Sequence, residues 1–76
     1  METMSITELV DLLRAQGISR TRLAAHCGIS YSTLANALAG RWIGKRTAQA
    51  IADTTGTRAV LVGGEFRFSG NVKWRQ

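Results

Sequence analysis

The sequence predicts a mainly α fold of four helices closed by a C-terminal β-hairpin. Three observations carry that expectation. Apolar residues recur at helical spacing in four successive segments up to Gly56, most clearly as Ile6, Leu9, Val10 and Leu13. Serine before each of the first three segments and glycine after all four supply the expected start and stop residues. Beyond Gly56 the pattern changes to a β-branched run, a Gly63-Gly64 pair and the strict alternation Glu65-Phe66-Arg67-Phe68.

The chain reads as one domain over residues 1–76. Residues 1–4 are expected to fray. Ser5 and Glu8 have the spacing of a capping box, and Gly17 suits the turn after helix 1, placed at about 6–16. Ser19 is the expected N-cap of helix 2, about 20–26, and helix 3, about 31–39, stops at Gly40. Lys45–Thr55 forms helix 4, with Ala48, Ile51 and Ala52 on one face and Gly56 at its end.

Helices 2 and 3 form the centre of the chain, about residues 20–39. Leu23, Ala24 and Cys27 give the first an apolar stripe; Leu34, Ala37 and Leu38 give the second. Between them, Gly28 can take positive φ, Ile29 can fill the angle, and Ser30 can cap the second helix. Ala24 is small where the helices must cross closely. This is the pattern of a helix-turn-helix.

The hairpin spans about residues 58–69, and a two-residue turn sets its register. Val62 then opposes Glu65, Leu61 opposes Phe66 and Ala59 opposes Phe68, so Ala59, Leu61, Phe66 and Phe68 share one face. That face can lid the helical core. A lone hairpin also leaves unpaired edges, which the hairpin of a second chain could satisfy, so Leu61, Phe66 and Phe68 are the candidate dimer interface. Residues 70–76 read as a tail. Within it, Trp74 beside Lys73 and Arg75 suits either tracking of nucleic acid or packing on a partner chain.

Charge narrows the function classes. The net charge is +5, and no Asp or Glu falls between Asp11 and Asp53, where Arg14, Arg20, Arg22, Arg41, Lys45 and Arg46 do. An acid-free stretch centred on a helix-turn-helix points to a polyphosphate partner. One cysteine excludes an intrachain disulfide and suits a reducing cytoplasm. No apolar run approaches the ~20 residues of a membrane span, and an acidic start does not resemble a secretion signal. No paired carboxylates or glycine-rich phosphate loop appear, so no enzyme, cofactor or small-molecule effector is expected. His26 and Cys27, the only residues of their types, are neighbours whose side chains diverge on a helix, so no metal site is expected. Cys27 belongs to the apolar stripe, and His26 to the surface.

If Leu34, Ala37 and Leu38 face inward, Tyr31, Ser32, Ala35, Asn36 and Ala39 face out. That outer face is small enough to enter a DNA major groove ~12 Å wide. Asn36 can pair bidentately with adenine, Ser32 can donate or accept, Ala35 suits a thymine methyl, and Tyr31 can reach a base edge or a phosphate. Arg20, Thr21, Arg22, Arg41, Lys45 and Arg46 flank the face as candidate phosphate contacts. Trp42, beside Ile43, is expected in the core rather than against the DNA backbone.

Ala24, Gly28, Ile29, Leu34 and Ala37, at their spacing, resemble the helix-turn-helix signature of the phage Cro/repressor family, whose domains are lambda-repressor-like. The likeness is specific over Arg20–Leu38 and looser to Gly56. It implies base contacts from Ser30, Tyr31, Ser32, Ala35 and Asn36, and a fourth helix packed under the motif. Relatives often carry bracing glutamines where this chain has Arg20-Thr21 and Tyr31-Ser32, so the anchoring bonds must differ. The resemblance implies a Cro-like repressor, phage or prophage in origin. It would bind a pseudo-palindromic double-stranded operator as a homodimer, in the cytoplasm or at the nucleoid. The competing class is a protein-interaction module, such as an antitoxin or adaptor for an acidic protein surface. That module would need the basic charge but not the slim outer face of helix 3.

Overall fold

The computed structural model describes residues 2–74. It places α1 (Ile6–Ala15), α2 (Arg20–Cys27), α3 (Tyr31–Leu38) and α4 (Lys45–Thr55) before β1 (Arg58–Val62) and β2 (Glu65–Ser69). This is the mainly α fold with a terminal hairpin that the periodicity predicts.

Local chemistry starts the first three helices. Ser5, Ser19 and Ser30 each sit in extended backbone and accept the N–H of the residue three places on. The Ser5–Glu8 capping box is complete: the Glu8 N–H donates to Ser5 Oγ (3.2 Å), and the Ser5 N–H donates to Glu8 Oε1 (3.0 Å). Hydrogen bonding from the Ser5 backbone N–H, and then from its hydroxyl, holds the Glu8 carboxyl below its ordinary pKa, with a smaller contribution from nearby Arg67. Gly28 ends α2 at φ 72°, a left-handed conformation that turns the chain towards α3.

The core has two lobes. Val10, Leu13, Ile18, Leu23, Ala24 and Leu34 build the first, from α1, α2, α3 and the turn between α1 and α2. Leu9, Ile51, Ala52 and Phe68 build the second, where the hairpin meets α1 and α4. Ile6, Cys27, Ile29 and Val72 pack against both. Ile29 thus fills the angle between α2 and α3. Burial pushes the Cys27 thiol pKa up, so it stays a protonated packing group near neutral pH.

The hairpin pairs in the expected register, Ala59 with Phe68, Leu61 with Phe66 and Val62 with Glu65. Gly63 and Gly64 both have positive φ (59° and 84°), as a type I′ turn requires. The lid closes only at its base. Phe68 is 0% exposed, whereas Leu61, on the same face but nearer the turn, is 59% exposed.

Four expectations need correction. The first concerns residues 1–4, which do not fray over their described part. The Met4 N–H donates to Phe68 O (2.8 Å), and the Phe68 N–H donates to Met4 O (2.9 Å). Arg67 Nε donates to Thr3 Oγ1 at 2.7 Å. These bonds satisfy one edge of β2 that sequence alone left open.

Residues 70–74 are likewise no free tail. The Lys73 N–H donates to Thr55 O (2.7 Å), closing the end of α4, while Val72 and Trp74 pack on the core. Gly56, at φ 70°, permits this approach: a Cβ there would lie 3.1 Å from Lys73 Cβ. Arg75 and Gln76 lie outside the described residues.

Phe68 is no dimer-interface residue, because its side chain is wholly spent on its own core. Trp42 is not in the core. It stands 65% exposed, with the Phe66 ring against it at a separation of 5.5 Å.

Candidate nucleic-acid interface

The outer surface of α3 follows from its inner one. Leu34 and Ala37 are buried, Thr33 and Leu38 half-buried, and Tyr31, Ser32, Ala35, Asn36 and Ala39 exposed. All four outward candidates within the helix therefore share one accessible face. Ala35 and Ala39 keep it narrow; Ser32 and Asn36 supply its hydrogen-bonding groups.

Ser30 is exposed but already engaged. Its Oγ accepts the Thr33 N–H (3.1 Å) and shares a hydrogen bond with Thr33 Oγ1 (2.8 Å). The cap fixes where α3 begins and leaves this hydroxyl less free than the resemblance implies.

The cations divide by environment. Lys45 and Arg46 are exposed on the first turn of α4, and Thr21 is exposed at the start of α2. Arg20 is half-buried, and its Nε is enclosed with no hydrogen-bond partner among the described residues. The Arg22 guanidinium lies 5.6 Å from the centre of the Trp74 ring, in cation–π range. Arg41 folds back on α3, its Nη1 donating to Asn36 Oδ1 at 3.4 Å.

Acids do not neutralise this group. The ion pairs among the described residues join Arg67 to Glu65 (3.2 Å) and to Glu8 (3.8 Å), leaving Arg20, Arg22, Arg41, Lys45 and Arg46 outside any pair.

Trp74, left open between nucleic acid and a partner chain by its sequence setting, lies on its own chain in the structure. Its ring lies against His26 (4.8 Å between centres) as well as Arg22, so it packs on α2 of its own chain. The signal was present in Val72 and Trp74, which alternate as one face of an extended strap. His26 is exposed, with Nδ1 3.1 Å from Arg22 O.

Among the described residues, no three His, Cys, Asp or Glu side chains gather as a metal site, and no helix is long and apolar enough to cross a membrane.

Comparison with known proteins agrees with the geometry. A family model described as Helix-turn-helix matches residues 9–61, which is more than half of the chain. The match begins in α1, takes in α2, α3 and α4, and ends in β1. No curated protein and no solved structure matches the chain. Domains of this family are DNA-binding regulatory modules and not catalysts. The chain belongs to the helix-turn-helix family.

Proposed function

We propose that this chain is a Cro-like repressor that acts as one domain, binding a pseudo-palindromic operator as a homodimer and occluding polymerase. Two copies of α3 would enter successive major grooves ~34 Å apart. Asn36, Ser32, Ala35 and Tyr31 would face base edges, with Ser30 at the rim. Arg20, Thr21, Arg22, Lys45 and Arg46 would face phosphates. The setting is bacterial DNA at the nucleoid, resident or invaded by a prophage.

One observation carries this reading. α2 and α4 begin with cations, Arg20 and Arg22 in one and Lys45 and Arg46 in the other, and neither has an acid in its first turn. A helix N-terminus carries partial positive charge, so each cation there is opposed by roughly 0.3–1 kcal/mol. α1 shows the ordinary arrangement, with Glu8 in its first turn. α4 also lacks a side-chain cap. Local rules broken together at the starts of the two helices that flank α3 in the chain suit an anion supplied from outside. A DNA backbone supplies such anions in series.

The dimer is proposed through β1. Phe68 exchanges its backbone bonds with Met4, on the side away from β1. In an antiparallel ladder, outward-bonding residues face each other across the pair. Ala59, opposite Phe68, and Leu61, opposite Phe66, therefore direct their N–H and C=O groups to the outer edge of β1. Among the described residues no backbone bond occupies that edge. A second β1 running antiparallel about Val60 would set Leu61 of one copy against Ala59 of the other, large beside small.

Leu61→Asp is expected to convert a dimer to a monomer in sedimentation without unfolding it, since Leu61 is more than half exposed. An unchanged dimer would move the interface elsewhere. Phe66 is a poorer probe, because it also supports Trp42.

Selection of bound sequences from a random duplex pool at ~150 mM salt tests the function. The expected result is a pseudo-palindrome with half-sites about one helical turn apart. Retention of no sequence in preference to another would overturn operator binding and favour an acidic protein surface as the partner.

A further inference from the structure

We propose that Arg41 reads a guanine rather than a phosphate, working as a pair with Asn36. This rests on the operator-binding reading above and sets Arg41 apart from the other flanking cations. α3 ends at Leu38, and Gly40, at φ 86°, turns the chain back towards the helix. The Arg41 N–H then donates to Asn36 O (3.1 Å), and Arg41 Nη1 donates to Asn36 Oδ1 (3.4 Å). Backbone and side chain together hold the guanidinium beside the exposed polar face of α3. Lys45 and Arg46 instead leave from another helix.

The donor inventory suits two adjacent base pairs. A guanidinium has five N–H donors, and the bond to Asn36 uses one. The remaining fork matches guanine O6 and N7, both acceptors on the major-groove edge. The Asn36 carbonyl keeps a second lone pair for an adenine N6–H, and its NH2 group remains free for adenine N7. The Arg41 bond also fixes which way the exposed Asn36 amide faces, so the two side chains enter the groove already oriented. No carboxylate among the described residues competes for Arg41.

The test compares wild type, Arg41→Lys and Arg41→Ala on the duplexes selected from the random pool, with affinity followed against salt. Lysine keeps the charge but loses the fork. Arg41→Lys is therefore expected to keep the salt slope and to lose about 10–100-fold of preference for guanine at one position per half-site. Asn36→Ala combined with Arg41→Ala is expected to lose less affinity than the two single losses multiplied, because each single change already disorders the pair.

Unchanged base preference in Arg41→Lys, with Arg41→Ala weakening all duplexes alike and flattening the slope, would overturn the assignment and make Arg41 a phosphate contact. Operator binding would survive that result. A wild-type chain that selects no sequence would defeat both readings, and the wild-type arm shows this by itself. Arg41 is exposed, so thermal melts of the variants are expected to match wild type.

Discussion

Phe68→Ala is expected to remove about 3–5 kcal/mol of folding stability, a large share of what a chain of this length holds. The side chain is 0% exposed and anchors the lobe formed with Leu9, Ile51 and Ala52. Truncating a buried phenylalanine costs about 3–5 kcal/mol. A domain of this length has roughly 4–11 kcal/mol in total at the usual stability per residue. The loss also spreads. Phe68 carries the two backbone bonds to Met4, so a loosened β2 frees the N-terminal segment as well. Urea unfolding followed by circular dichroism reads the change. A fall of less than about 1 kcal/mol would mean that the hairpin is an appendage rather than a wall of the core.

Ala35→Glu is expected to abolish operator binding without touching stability. Ala35 is exposed in the middle of α3, and glutamate is a good helix former. Its carboxylate would meet the phosphates and base acceptors of the groove, where like charge costs several kcal/mol. A loss of at least about 100-fold should appear for every duplex in a fluorescence-anisotropy titration. Ala35→Gln, similar in size but uncharged, should keep binding through the flanking cations and change base preference instead. DNA binding by Ala35→Glu at wild-type strength would remove α3 from the groove.

Much of this arrangement was legible in the residues because it is local. Ser5 and Glu8, Ser19, Ser30 and Gly28 act within four positions of themselves, so their roles follow from spacing alone. The division of α3 into Leu34 and Ala37 inside and Ser32 and Asn36 outside needs only the helical period. The hairpin register needs only the length of its turn.

What escaped depends on distant partners. Met4 finds Phe68, and Lys73 finds Thr55, through backbone bonds that any residue can make, so composition carries no trace of them. Trp42 looked like a core residue because tryptophan usually is one. It stands out here because the short segment after Gly40 leads it to the surface, where its ring lies against Phe66. The sharing of Phe68 between lid and interface was a question of depth, and alternation along a strand gives the face but not how far the core extends beneath it. Of the site, the outer face of α3 was readable, but the attachment of Arg41 to Asn36 and of Arg22 to Trp74 was not. Both depend on long side chains choosing among several reachable neighbours.

In the proposed complex the outward side of α3 lies against DNA. Amide chemical-shift mapping of the isotope-labelled chain, titrated with a duplex taken from the selected pool, tests it most directly. The largest changes are expected at Tyr31, Ser32, Ala35 and Asn36, continuing to Arg41, with smaller ones at Thr21 and Lys45 and little at Asp11 or Leu12. Changes gathered on Glu8–Leu12 or on the hairpin tip, with Ser32 and Asn36 unmoved, would contradict it.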